Sequence, residues 1–214
     1  MSVARSIRLV PSTVVLVLLS AMLSACVQPP APTASASPPA TASPAPTPEP
    51  EPAALEVSVD GVDLVDSAGD VVGQATFDDG AGMLSFLGDA LGSTPAGVPN
   101  AQGYPITFYD WGDVSVSVID DGPATVWIAS ATAGPLELRT TEGVEVGMTT
   151  ADAIALGATE DSALPDSLIV QVREAPGTES LMRPGTTGVD FILLVIEGDA
   201  VARMISPAND WGDL

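Results

Sequence analysis

From Leu55 the chain alternates: Leu55, Val57 and Val59 on one side of Asp60-Gly61, Val62 and Leu64 on the other. Period-two alternation puts the apolar set on one face of a strand, so both runs predict half-buried β-strands. Asp-Gly between them predicts a two-residue hairpin turn at positive φ. Ser67-Ala68-Gly69-Asp70 predicts a second turn and Val71 to Phe77 a third strand, completing an N-terminal meander.

The period then lengthens. Met83, Leu84, Phe86, Leu87 and Leu91 are spaced for a helix that stops at Gly92. Strands are predicted at Ile106 to Tyr109, Asp113 to Ile119 and Ala124 to Ser130. Thr149 to Leu156 reads as a second helix, with Thr149 as N-cap and Asp152 three residues on, worth about 1 kcal/mol. Three more strands follow: Leu168 to Val172, Asp190 to Ile196 and Ala200 to Ile205. Helix then three strands occurs twice, in residues 78–133 and 144–205. The expected fold class is therefore α+β: an N-terminal β-meander, then two helix-plus-three-strand repeats forming an antiparallel sheet with helices on one face.

Strand parity locates a candidate binding face. Val114, Val116 and Val118 belong under the helices, which sends Ser115 and Ser117 outward. Val126 and Ile128 are the better core set on the neighbouring strand, so Trp127 is expected to stand outward beside the serines. Two readings of Trp127 follow: an interface anchor, or a ring covered by the Leu136 to Arg139 segment.

The first 53 residues have a different character. Arg5 and Arg8 precede an apolar stretch from Leu9 to Ala25, the n-region and h-region of a secretory signal over residues 1–25. It is shorter than the ~20 apolar residues of a membrane span. Leu23-Ser24-Ala25-Cys26 closes it and resembles the lipobox of bacterial lipoproteins, which implies diacylglycerol on the Cys26 thiol and cleavage just before it. An uncleaved anchor with an incidental cysteine is the other reading. Val27 to Ala53 holds ten prolines in 27 residues, with Ala, Ser and Thr between them. With Cys26 it forms the expected disordered tether, 26–53, reaching roughly 30 to 80 Å according to its stiffness. It is a bare or O-glycosylated spacer. Residues 54–214 are expected to be one domain.

Charge changes the picture of partners. The chain carries 28 acids against 6 arginines, without lysine or histidine and with one cysteine. A net charge of −22, or −24 once Arg5 and Arg8 leave with the signal, repels nucleic acid and anionic headgroups. The composition also excludes a His/Cys zinc site, a Ser-His, Cys-His or Ser-Lys dyad, a Schiff base and an internal disulfide. Asp60, Asp63, Asp66 and Asp70 surround two turns without EF-hand spacing, so they are read as turn residues before Ca²⁺ ligands. Asp110-Trp111-Gly112-Asp113 recurs as Asp210-Trp211-Gly212-Asp213 without a strand behind the second copy.

Trp111-Gly112-Asp113-Val114, the run from Arg139 to Thr149 (Arg-Thr-Thr-Glu-Gly-Val-Glu-Val-Gly-Met-Thr) and the lipobox together resemble a group of actinobacterial envelope lipoproteins. Their tandem helix-plus-sheet repeats are similar to those of β-lactamase-inhibitor-protein-like and outer-membrane-assembly-lipoprotein-like domains. The similarity spans roughly Ala75 to Ile205. It implies a sheet face that binds proteins, with no catalytic residues to transfer. The chain departs from the pattern in lacking disulfides and in having few aromatics on that face. The expected function is a noncatalytic, lipid-anchored module on the extracytoplasmic side of the cell membrane, needing no metal or cofactor and binding an envelope protein or wall component. Alternatives are a carboxylate-dependent envelope hydrolase and a structural or cation-binding domain.

Overall fold

A computed structural model describes residues 51–120 and 122–212. The signal, the lipobox Leu23 to Cys26 and most of the tether lie outside them. β1 (Pro52–Val57), β2 (Gly61–Asp66) and β3 (Val71–Thr76) run as an antiparallel meander. The first turn corrects the sequence expectation. It spans four residues, closed by the Ser58 amide donating to the Gly61 carbonyl at 2.9 Å, while the Ser58 hydroxyl accepts from the amides of Asp60 and Gly61 at 3.2 Å each. Gly61 opens β2 without positive φ. Its small size serves strand packing instead, because a Cβ there would lie 2.1 Å from the Ala75 carbonyl oxygen. Gly61→Ala is therefore expected to cost about 1–3 kcal/mol in urea unfolding by forcing β2 and β3 apart. The second turn has Gly69 at φ +85°, with Asp66 accepting from the amides of Ala68 and Asp70.

α1 (Gly80–Leu91) begins at Asp79, whose carboxylate accepts from the Gly82 amide at 2.9 Å. It ends at Gly92, φ +96°. After it come β4 (Val98–Pro99), β5 (Ile106–Asp110), β6 (Val114–Ile119) and β7 (Ala124–Ile128), followed by β8 (Thr132–Ala133) and β9 (Leu136–Thr140). α2 (Thr150–Ala155) has Thr149 as N-cap, its hydroxyl accepting from the Asp152 amide and donating to the Asp152 carboxylate. β10 (Thr159–Glu160), β11 (Ser167–Glu179), β12 (Thr187–Glu197) and β13 (Ala200–Asn209) complete the order.

The fold is α+β and mostly strand, in two sheets, with the N-terminal meander outside the antiparallel one. The larger has the order β10-β11-β12-β13-β7-β6-β5-β4, antiparallel at every step. The smaller has the order β3-β2-β1-β9-β8, with β1 and β9 parallel. β8 and β9 leave the larger sheet because Leu136 and Leu138 (2% and 0% exposed) find their burial beside β1. One core joins both sheets and both helices: Leu55, Val57 and Leu138 from the smaller, Val116, Val126, Ile192 and Leu194 from the larger, with Met83, Leu87 and Ala153. Val114, Val116 and Val118 thus lie beneath the smaller sheet as well as α1, where the sequence expectation placed helices alone.

A bulge in β11 ties the sheets together. Gln171 sits at φ +54°, an unfavourable conformation for a non-glycine residue. Its side-chain oxygen accepts from the Val59 amide at 2.8 Å, and its amide nitrogen donates to Thr141 and, at 2.7 Å, to Glu142. Gln171→Ala is expected to lose about 1–3 kcal/mol in urea denaturation, since the Val59 amide loses its acceptor while the backbone strain remains.

Candidate functional site

With one face of the larger sheet buried against the core, the alternate positions of its strands point the other way. Strand register lines them up as a row: Asp110 opposite Ser115, then Trp127, Ile205, Leu193, Ile169 and Thr159. A second row runs beside it through Val98, Phe108, Ser117 and Thr125. Directly paired side chains on one face of an antiparallel sheet touch, so each row is a continuous surface.

The two ends of this face differ. Over β11 and β12, Ile169, Phe191 and Ala208 form a small second core, with Leu164 packed against it. Arg183 latches the loops that cover it, bonding to Asp161 and to Asp210 at 3.3 Å. Asp210, 2% exposed, also accepts from the Ser180 hydroxyl at 2.5 Å and the Val189 amide at 2.7 Å. The Asp161 carboxyl is held below its ordinary pKa, first by the Ala163 amide and then by Arg183. A lowered folded pKa stabilises the protein above the unfolded value and is lost as pH falls through the folded one. The stability difference between wild type and Asp161→Asn, read by urea melts along a pH series, is expected to shrink below about pH 4.

Over β4 to β7 the face is open. Val98, Phe108 and Ile119 are 63%, 37% and 43% exposed. Trp127 is half-buried, its ring centroid 6.3 Å from that of Phe108 at a tilt of 46°. Ser115 is half-buried. Ser117, expected outward in solvent, is on the outward parity but only 6% exposed, because its short side chain lies between the taller rings of Phe108 and Trp127. The Leu136 to Arg139 segment does not cover Trp127: it belongs to β9, in the sheet on the opposite side. Arg203 points outward from β13 opposite Val195. Among the described residues it makes no ion pair, whereas Arg139, Arg173 and Arg183 each make two.

Reading strands by their serines and valines had passed over Phe108, Val98, Ile119 and Ile205. The signal is present in β5, where Ile106 and Phe108 alternate with Thr107 and Tyr109: both parities carry a large ring, though only Tyr109 packs on the core.

The acidic turns do not converge. Asp60 pairs with Arg173, and Asp66 serves its own turn at the other end of β2. Burial and the Glu56 charge raise the Asp63 pKa. Among the described residues no three acids or cysteines are placed to hold a metal ion, and no helix is long and apolar enough to cross a membrane. The two Asp-Trp-Gly segments differ as well. Asp110 accepts from the Gly112 amide in an exposed turn and Trp111 packs on the main core, whereas Asp210 is buried and Trp211 is 38% exposed. No family model, curated protein or solved structure matches the chain.

Proposed function

We propose that this is a cell-envelope lipoprotein, lipidated on Cys26 and tethered by residues 27–51, the expected tether less Pro52 and Ala53, which β1 takes up, and that its noncatalytic domain docks a protein partner on the open face of its larger sheet. The observation that carries the docking role is the partly exposed apolar surface of Val98, Phe108, Ile119 and Trp127 on β4 to β7. Adjacent exposed apolar side chains of this size on a folded domain mark an interaction surface. Aromatic anchors carry much of the energy where such surfaces meet a protein.

The tandem-repeat reading belongs to the same proposal. The unit is one strand longer than the helix-plus-three-strand repeat expected from the sequence: α1 with β4 to β7 and α2 with β10 to β13 each make a helix followed by a four-stranded meander. What supports it is the strand order, in which two such meanders meet through their last strands, β7 and β13.

A photo-crosslinking residue at Ser115, in cells making the full chain, is expected to give a discrete adduct that the same residue at Ser85 on α1 does not. Equal labelling from both positions would count against the open face. Trp127→Ala is expected to abolish the Ser115 adduct while costing only about 1–2 kcal/mol of stability, as suits a half-buried ring. A cost above ~3 kcal/mol would instead make it a core residue.

A further inference from the structure

The open face ends in a cleft of about 510 Å³, to which Ile119 and Thr125 contribute. Its apolar wall is completed by Phe77, Pro207 and the exposed ring of Trp211. Three carboxylates, Asp60, Asp78 and Asp190, line it with a single guanidinium, Arg173.

That guanidinium is already occupied. One of its nitrogens bonds to Asp60, and another donates to Asp190 at 2.8 Å. Asp190 is held in place from a second side by the Trp211 ring nitrogen, which donates to it at 2.9 Å. Asp78 makes no ion pair among the described residues and is exposed. An anion entering the cleft would meet three carboxylates and an arginine with its charge spent. A cation would find an unpaired acceptor and an aromatic face, and its apolar stem would cover Ile119 and Pro207. The volume lies within the roughly 300–1,000 Å³ typical of ligand clefts, and an exposed tryptophan face adds cation–π attraction.

We propose that this cleft receives a guanidinium or ammonium group on an apolar stem. The carrier is a basic side chain of the protein docked on the sheet, an assignment that rests on the docking reading above. Charge complementarity supports the same partner: a basic protein approaches a domain of strongly negative charge with electrostatic assistance. Acidic copies of this chain would repel one another.

The test is a titration of the full-length Cys26→Ser chain, followed through the backbone amide resonances of Thr125, Asn209 and Gly212. Acetyl-arginine amide is expected to shift them, and neutral acetyl-citrulline amide is not. Asp78→Asn, at an exposed residue outside the ion pairs, is expected to weaken binding about fivefold. Equal responses to arginine and citrulline, or unchanged binding by Asp78→Asn, would overturn the site. Tighter binding of butylguanidinium than of acetyl-arginine amide would overturn the side-chain carrier in favour of a free organic cation. The titration needs no partner, so its failure leaves the Ser115 crosslink standing, and failure of the crosslink leaves the titration standing.

Discussion

Asp210→Ala is expected to destabilise the domain by about 2–4 kcal/mol, the scale of leaving two buried donors without their acceptor. The carboxylate is the common acceptor for the Ser180 hydroxyl, the Val189 amide and Arg183. Its removal strands the Ser180 hydroxyl and the Val189 amide, leaves Arg183 only Asp161, and loosens the loops over Phe191. Replacing a buried acceptor while its donors stay behind incurs their desolvation cost without return. Urea unfolding measures the loss. Asp210→Asn keeps one carbonyl acceptor and is expected to fall between wild type and alanine. A loss under ~1 kcal/mol for the alanine variant would mean that the loops close the second core without the latch.

Cys26→Ser is expected to have the second large effect, on lipidation and processing instead of folding. The thiol is the only lipid acceptor in the proposed anchor, since the chain has one cysteine. One acyl chain binds a membrane only marginally, at K of about 10⁴ M⁻¹, and stable anchoring takes a second signal. In the proposed anchor cleavage follows lipidation, so the unlipidated variant keeps the apolar stretch from Leu9 to Ala25 at its start. The serine variant is therefore expected to lose label from a fatty-acid probe and to accumulate as the longer, uncut precursor. Retained label would place the lipid elsewhere and remove the anchor from the proposal.

Periodicity made individual strands and helices visible in the sequence. It did so best where one parity was plainly apolar, as in Val114 to Val118, and where capping chemistry was local, as at Thr149. It was silent on partners. Leu136 and Leu138 alternate like any half-buried strand, and only the burial available beside Leu55 assigns them to the smaller sheet. Gly61 shows the same limit: Asp-Gly is a turn signature, yet the constraint on this glycine comes from Ala75 on the next strand. The open face was half legible, since parity alone identifies Ser115 and Trp127 as outward. The ring of Phe108 that closes over Ser117 comes from another strand, and register with it is a tertiary fact.

The parallel pairing of β1 with β9 also sets an order of events. Leu55 meets Leu138, so the first strand of the domain cannot be completed until a segment more than half a domain later has arrived. The β7–β13 seam imposes a similar wait, joining Ile128 to Met204. Such distant pairings are slow to form, because chain closure costs entropy before any contact compensates for it. A chain that emerges N-terminus first therefore has β1 to β3 able to pair among themselves while the edge of β1 is unclaimed. That edge stays open to other chains until β9 arrives, which makes the interval between them the stage at which this protein is most exposed to misassembly.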